Sequence, residues 1–359
     1  MKHRRRFSSA LVLTGALLAL TAGPAAADPP GPTNYRTEIV GLDPAVEGIE
    51  ADVLGGDAFL QLRVTGHEVV VPGYDGEELY LRYDADGSVY ENVRSRAWFQ
   101  NQARYGALER DIPADTGASV PPEWVLVSTD GTFAWHDHRI HFMSPNSLPP
   151  VGSEDGAVAY VDPDGGEQLT TVFAEPIMIR VDGEPVGLIG DLYYVPDASP
   201  LLAVLAAVVA LAVVVGLGRR RARTGVLAGV LGLSAVALAV GLPQVVGLPA
   251  GVTGQTLQVI LPAIALVVGL AGLALRDRPT VAVGVTAAGA VPLLVWVVVN
   301  AGAFTAPIIP PTEWPAELVR ALHGAVAGGA LGALGLAARL VLTDPGATDD
   351  AAAPEATPV

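Results

Sequence analysis

The pattern of hydrophobic and polar positions divides the chain into two parts that suit different solvents. Between residues 35 and 198, short segments alternate apolar and polar side chains, and turn-forming pairs such as Asp130-Gly131 separate them. Alternation with a period of two is typical of strands that bury one face. From Leu201 onward the apolar residues form long continuous stretches instead. The pattern therefore predicts an all-β domain followed by a helical membrane domain.

Several segments of the first part show the strand pattern clearly. We expect strands at Ala58–Val64, Leu79–Tyr83, Trp124–Val127 and Ala157–Val161, with an irregular loop over 104–122. The clearest hairpin runs from Pro176–Val181 through Asp182-Gly183-Glu184 into Val186–Ile189. Short strands at this spacing are typical of an antiparallel, immunoglobulin-like sandwich, which we expect over residues 35–198.

The second part predicts about five transmembrane helices in a bundle over residues 201–342. Each apolar stretch can cross a hydrocarbon core of roughly 30 Å as a helix. The expected spans are 201–218, 225–242, 256–275, 280–300 and 318–342. Pro262 and Pro292 fall inside the third and fourth spans, where we expect each to kink its helix.

The N-terminus has the features of an export signal. A basic stretch, Lys2–Arg6, precedes the apolar run Leu11–Leu20 and the small residues Ala25-Ala26-Ala27. This order predicts a cleaved signal peptide over residues 1–27. A proline-rich lead-in over 28–34 then connects it to the β-domain.

The arginines predict the orientation in the cell membrane. They cluster at 219–223, after the first span, and at Arg276 and Arg278, between the third and fourth. The loops 243–255 and 300–317 carry neither arginine nor lysine. Positive loops stay in the cytoplasm, so the sequence predicts a multi-pass plasma-membrane protein with an extracytoplasmic β-domain. The tail, 343–359, is then cytoplasmic, and its composition predicts disorder.

Charge and cysteine content exclude several classes of partner and site. The formal net charge is -16, with thirty acidic residues and nine arginines between Asp28 and Pro200. So acidic a domain is repelled by nucleic acid, which we exclude as a partner. The chain has no cysteine, which excludes disulfides, thiolate metal sites and cysteine nucleophiles. No phosphate loop, dinucleotide fingerprint or serine nucleophile elbow is present, so we do not expect a common class of enzyme.

One segment, Trp135-His136-Asp137-His138-Arg139-Ile140-His141, concentrates the candidate chemistry. It holds three of the six histidines in the chain. If it continues a strand that begins at Thr132, His136 and His138 point to the same face, and a bend after Arg139 brings His141 to them. Imidazole suits copper and zinc, and Met143 would add a thioether, which Cu(I) prefers. We therefore predict a metal site at His136, His138, His141 and Met143, for copper before zinc.

Other interpretations of these residues remain open. The histidines could form a structural or pH-sensitive network, or hold a hydrolytic metal with Asp137 as base. His67 is either a distant fourth ligand or an exposed turn residue, and we favour the turn. The acidic loop Tyr74, Asp75, Glu77 and Glu78 lacks the spacing of a calcium loop, so we interpret it as a solvated turn. The alternative to metal handling or sensing is a module that binds an envelope protein while the helices anchor it.

The segment Trp135-His136-Asp137-His138 resembles the copper-binding segment of multicopper oxidases, although it lacks that segment's tyrosine, and the cysteine of their type 1 copper is absent. The order of signal, sandwich and membrane part is similar to fused copper-resistance C and D proteins of bacteria. That resemblance implies copper binding through histidines and a metal-handling partner. The mature copper-resistance C domain starts with histidine, whereas this one starts at Asp28. The residues Gly73-Tyr74, Leu81-Arg82 and Asp86-Gly87 with the histidine segment also resemble an uncharacterised family of actinobacterial membrane proteins.

The membrane part contains few polar residues. Arg320 and His323 lie at the outer end of the fifth span, where they could form a metal or proton relay, but snorkelling to the interface is the simpler interpretation. Gly324, Gly328 and Gly332 give the same helix a face of small residues. Such a face permits close packing within the chain or between chains, so a homo-oligomer through this helix is possible.

Overall fold

The computed structural model describes residues 31–102, 111–143, 159–161, 167–169, 176–220, 222–249, 256–309 and 314–343. The expected signal peptide, and all of the expected tail except Thr343, lie outside these residues. Within them, an antiparallel β-domain is followed by helices that are long and apolar enough to cross a membrane.

The β-domain packs two antiparallel sheets against each other. The strands are β1 (Tyr35–Asp43), β2 (Ile49–Leu54), β3 (Phe59–Val64), β4 (Val69–Pro72), β5 (Leu79–Tyr83), β6 (Val89–Asn92), β7 (Trp124–Ser128), β8 (Thr132–Trp135), β9 (Ala159–Val161), β10 (Glu167–Leu169), β11 (Ile177–Val181) and β12 (Glu184–Tyr194), with a short helix, α1, at Arg96–Gln100. The larger sheet has the order β7-β6-β5-β4-β11-β12-β10-β9, with β1 also paired to β12. The smaller sheet has the order β2-β3-β8. Side chains of both sheets meet in one core, which makes the domain a β-sandwich.

The hairpin of β11 and β12 shows why the alternating pattern was informative. Ile177, Ile179 and Val181 are buried, whereas Met178 between them is exposed. The turn has positive φ at both Asp182 and Gly183, the conformation that fits the twist of a two-residue hairpin. The predicted hairpin is therefore confirmed.

The other predicted strands have mixed outcomes. The predictions at 58–64, 79–83 and 124–127 correspond to β3, β5 and β7. The fourth is confirmed only at Ala159–Val161, because its first two residues lie outside the described part. Residues 111–122, the described end of the expected irregular loop, contain no strand. The strands β1, β2, β6 and β10 were not predicted, and β12 extends five residues beyond its predicted end.

The five predicted spans are confirmed as apolar helices, by length and composition. The helices are α2 (Leu201–Arg220), α3 (Ala222–Val246), α4 (Leu257–Ala274), α5 (Pro279–Ala288), α6 (Ala290–Val299) and α7 (Ala316–Thr343). The fourth span is divided at Gly289 into α5 and α6. Pro292 lies just after this break and has no N–H for the carbonyl four residues earlier, which explains the interruption. Pro262 lies within α4, which continues through it.

The small-residue face of α7 packs against α2 of the same chain. A Cβ added at Gly324 would lie 2.1 Å from the carbonyl oxygen of Ala203, and one at Gly328 would lie 1.9 Å from that of Ala207. Only glycine allows the two backbones to approach so closely. The face is therefore occupied within the chain, and it does not support the homo-oligomer expected through this helix.

The β-domain contacts the loop that follows α6. Thr33 and Ile308 form an antiparallel bridge, in which each backbone N–H donates to the other's carbonyl. At the other end of the domain, the N–H of Ala198 donates to the carbonyl of Thr305. The loop and the β-domain thus lie on the same side of the bundle, as the predicted topology requires.

Candidate functional site

The histidine segment leaves its strand earlier than the sequence suggested. The strand β8 ends at Trp135, and a single 3-10 turn covers His138–Ile140. The prediction that His136 and His138 lie side by side on one strand face is therefore wrong. The reason is Asp137, whose side chain accepts from the N–H of Arg139 and caps the turn. A short polar side chain of this kind competes with continued strand pairing.

Asp137 organises the segment through a buried set of hydrogen bonds. Its carboxylate accepts from the indole N–H of Trp135 at 2.8 Å and from Nε and Nη2 of Arg139 at 2.9 and 2.7 Å. Burial alone would raise the pKa of this carboxyl, but the charge and hydrogen bonds of Arg139 outweigh it and lower the pKa to about 2. Asp137 is thus an ionised structural residue, which argues against its proposed role as a catalytic base.

The turn brings the three imidazole rings together. The ring centroids of His136 and His141 are 4.3 Å apart, those of His136 and His138 are 5.7 Å apart, and those of His138 and His141 are 6.4 Å apart. His136 and His141 are buried, and His138 is half-buried. The cluster is therefore closed on the side of the core and reaches the surface through His138.

A carboxylate that the sequence did not single out belongs to this cluster. Oδ2 of Asp57 lies 3.4 Å from Nδ1 of His141, and both side chains have no exposed surface. The tight turn between β2 and β3 positions Asp57, and Phe59 two residues later packs edge-on to His136 at 5.9 Å. Asp57 is remote from the histidines in sequence, and only the pairing of β3 with β8 brings them together.

Tyr74, which the sequence pattern assigned to a solvated acidic turn, is a second contributor to the cluster. Its ring stacks on His138 at 5.5 Å, and its hydroxyl accepts from the backbone N–H of His138 at 2.9 Å and donates to Oδ1 of Asn101. The guanidinium of Arg139 also lies over the Tyr74 ring, with its carbon 5.2 Å from the ring centroid. Burial raises the pKa of Tyr74 well above its ordinary value, so the hydroxyl stays neutral. Tyr74 therefore fixes both the ring and the backbone of His138.

Met143 does not join the buried cluster. Its side chain is 38% exposed, whereas that of His141, two residues earlier, is buried. Phe142 between them stacks on Tyr35 at 5.5 Å, which directs the chain along the surface of β1. The predicted thioether ligand, Met143, is thus at the surface, whereas His136 and His141 are buried next to each other.

In the part of the chain that is described, no three His, Cys, Asp or Glu side chains stand in a geometry ready to hold a metal ion. The rings of His136 and His141 lie against each other with their planes tilted by 32°. Metal ligands instead direct their nitrogens toward one point. The arrangement therefore has the donor atoms of a metal site but needs ring rotation to become one.

Two other candidate groups prove to be structural. His67 bonds to Asp182 through Nδ1 and to the carbonyl of Glu47 through Nε2, and so connects two turns. It lies at a turn, as the favoured interpretation expected, but it is half-buried and not exposed. In the acidic loop, Asp75 accepts from the N–H groups of Glu77 and Glu78. Glu78 is buried rather than solvated, which corrects the interpretation of that residue.

The contact between His67 and Asp182 predicts a pH-dependent contribution to stability. The hydrogen bond to Asp182 raises the pKa of His67 in the folded state. The contact then contributes fully to stability below pH 6.5, the pKa of the imidazole in the unfolded chain. This contribution is lost as the pH rises through the higher pKa of the folded state. We expect Asp182→Asn to lower the melting temperature more at pH 5.5 than at pH 8.5. An equal decrease at both values would contradict the pairing.

Arg320 and His323 face into the bundle, which corrects the prediction that Arg320 snorkels. Arg320 is 2% exposed and donates from Nη2 to the carbonyl of Ala306 at 2.7 Å. His323 is buried, donates from Nδ1 to the carbonyl of Val319, and stacks on Trp296 at 4.4 Å. These contacts fix α6, α7 and the loop between them on the side of the β-domain. The relay interpretation stays a prediction.

The comparisons with known proteins assign no family. No protein-family model, curated protein or solved structure matches the chain. The interpretation of the site therefore rests on its own geometry.

Proposed function

We propose that the β-domain binds a transition metal through His136, His138 and His141, and that the helices hold this domain at the membrane. The observation that carries the proposal is the convergence of three imidazoles with ring centroids 4.3 to 6.4 Å apart. The histidine segment forms a turn where the strand pattern predicted an extended strand. This turn places imidazoles from both of its ends next to each other. Three imidazoles suit copper and zinc.

The supporting structure around the cluster also suits a metal site. Metal-binding histidines commonly depend on neighbours that orient their rings. Here Tyr74 stacks on His138, and Phe59 packs on His136. Binding requires the tilted rings of His136 and His141 to rotate so that their nitrogens converge. His138, half-buried, gives the ion a route from solvent.

The proposal includes several finer points. These are the immunoglobulin-like form of the sandwich, its location outside the plasma membrane, the preference for copper, and a role in metal handling or sensing at the envelope. The second candidate is an interaction module without metal. One observation favours it, namely that no described group of side chains is ready to hold an ion.

Metal content of the full-length protein tests the proposal. We expect the chain in lipid nanodiscs to bind about one Cu or Zn ion, which would raise its stability by about 2.7 kcal/mol at a concentration one hundred times the dissociation constant. His138→Ala, the least buried substitution, should weaken binding by at least about tenfold. His67→Ala is the matched control in the same domain and should bind as the wild type does.

The outcomes distinguish the two candidates. If the wild type binds no copper or zinc with micromolar affinity, the metal proposal fails and the interaction module is left. If metal binds equally to the wild type and to a variant with His136, His138 and His141 all replaced by alanine, the site lies elsewhere. Tryptophan fluorescence of each variant, compared with the wild type, checks that the domain still folds.

A further inference from the structure

Arg320 brings a positive charge into the interior of the membrane domain. The residue is 2% exposed, and its Nη2 donates to the carbonyl of Ala306 at 2.7 Å. A carboxylate oxygen of Glu317 lies 3.9 Å from Nη1, too far for a hydrogen bond, and the side chain of Glu317 is 69% exposed. Nε of Arg320 is buried and donates to no acceptor in the described part of the chain. Burying an arginine is costly unless acceptors surround its charge, so this guanidinium has capacity for an anionic ligand.

His323 has a second unused polar atom on the same side of α7. The two residues are three positions apart, so their side chains are neighbours on the helix surface. Nδ1 of His323 donates to the carbonyl of Val319 at 2.8 Å, and Nε2 is buried without a hydrogen-bond partner among the described residues. The imidazole also packs edge-on to Phe304 at 6.5 Å, in the loop that carries Ala306. An unused donor on Arg320 and an unused acceptor on His323 thus lie beside the same loop.

We propose that Arg320 and His323 bind a phosphate group at the end of the bundle next to the β-domain. Phosphate oxygens accept strong, charge-assisted hydrogen bonds from a guanidinium group. With its proton on Nδ1, the neutral ring of His323 leaves Nε2 as an acceptor, which suits a hydroxyl of the ligand. A phosphate group that carries a hydroxyl supplies both partners, whereas a carboxylate supplies only the first. The site is separate from the histidines of the β-domain and does not depend on metal binding there.

The imidazole is held in position by the helices around it. Its ring stacks on Trp296 at 4.4 Å, with the two planes inclined by 14°. Trp296 is completely buried, and its indole N–H donates to the carbonyl of Gln258 at 3.2 Å. His323 is thus fixed by α4 and α6 as well as by its own helix. A site whose groups are already oriented loses less conformational freedom when a ligand binds.

Two sources can provide the phosphate group. Arg320 lies near the start of α7, at the depth where the headgroups of a bilayer meet the end of a transmembrane helix. The ligand is therefore either free hydrogen phosphate or the headgroup of a phospholipid such as phosphatidylglycerol, which has hydroxyls beside its phosphate. Micelles of a maltoside detergent contain no phosphate, so the full-length protein in such micelles allows the two sources to be offered separately.

Equilibrium dialysis with labelled inorganic phosphate tests the first source. We expect the wild type to bind about one phosphate per chain, and to bind acetate at least about tenfold more weakly, because acetate lacks the hydroxyl. Arg320→Gln should weaken phosphate binding by about tenfold or more. His323→Phe keeps a ring against Trp296 and removes the nitrogens, so it should weaken binding by roughly threefold to tenfold. Arg276→Gln, which replaces an exposed arginine at the opposite end of the bundle, is the control and should bind as the wild type does.

Native mass spectrometry with added phosphatidylglycerol tests the second source. If the ligand is a lipid, inorganic phosphate does not bind, and the wild type retains one more lipid than Arg320→Gln does. Three results would overturn the proposal: the wild type binds neither phosphate nor this lipid, Arg320→Gln binds the ligand as tightly as the wild type, or acetate binds as tightly as phosphate. Circular dichroism shows whether each variant folds. If Arg320→Gln does not fold, His323→Phe decides, because an unchanged affinity in that variant contradicts the assignment.

Discussion

Asp137→Asn is expected to lower the free energy of unfolding of the β-domain by about 3–5 kcal/mol. The substitution preserves size but leaves the guanidinium of Arg139 without its carboxylate partner. Trp135, which donates to the same carboxylate, is held less strongly as well. Removing one member of such an ion pair costs more than the pair itself contributes, because the guanidinium that remains is only 22% exposed and loses its partner. Denaturant titration of the full chain in nanodiscs, followed by tryptophan fluorescence, measures the loss.

The control for this variant is an ion pair at the surface. Glu50 pairs with Arg63, and the two side chains are 66% and 49% exposed. Exposed pairs contribute roughly 0–1 kcal/mol, so Glu50→Gln should lower stability by no more than that. Equal losses from the two substitutions would show that Asp137 does not organise the segment.

Acidification gives an independent check on Asp137. The pKa of its carboxyl is lowered from 3.8 to about 2 in the folded protein. The contribution of this carboxylate to the free energy of unfolding is therefore full above the pKa of the unfolded chain. It is lost as the pH falls from about 4 toward 2. The difference in free energy of unfolding between the wild type and Asp137→Asn should therefore decrease across this pH interval. A constant difference between them down to pH 2 would contradict the lowered pKa.

Gly328→Ala is expected to destabilise the membrane domain by about 1–3 kcal/mol. The new methyl group would lie 1.9 Å from the carbonyl oxygen of Ala207, so α7 and α2 must separate. Close backbone packing supplies much of the attraction between membrane helices, and separation reduces it along the whole contact. Reversible unfolding in mixed micelles measures the change, and Gly324→Ala should behave in the same way because its neighbour is the carbonyl of Ala203.

Gly335→Ala is the matched control on the same helix. Nothing lies within 4 Å of a Cβ at that position. Since alanine forms helix better than glycine by about 1 kcal/mol, this variant should be as stable as the wild type or more so. If Gly328→Ala is no less stable than Gly335→Ala, the two helices are not packed as described.

The membrane part of the fold was predictable because the bilayer imposes a length and a composition on each span. The five spans follow the predicted ranges closely, although the fourth consists of two helices. The strands were less predictable. The pattern identified β3 and β11, where one face is buried in the sandwich. It missed β1, whose residues are mostly half-buried, because such a strand has no strong contrast between its two faces.

The grouping of the histidines was predicted, but the structural reason given for it was wrong. The histidines do assemble, but through the turn that Asp137 caps and not through a shared strand face. Asp57 enters by the pairing of β3 with β8, a contact between distant segments that no local pattern reveals. The same limit applies to Arg320, which turns inward because the carbonyl of Ala306 is present to receive it.

The bridge between Thr33 and Ile308 joins residues that are far apart in the chain. Synthesis proceeds from the N-terminus, and a domain of this kind folds as a unit when it emerges. The loop that carries Ile308 follows the fourth span, so it reaches the β-domain only after that span has been inserted. Until then the edge at Thr33 has no partner from the membrane part. Completion of the bridge is therefore a late stage of assembly, with only the fifth span still to follow. A truncation before residue 300 would yield a folded β-domain that is tethered to the membrane but lacks its contact with this loop.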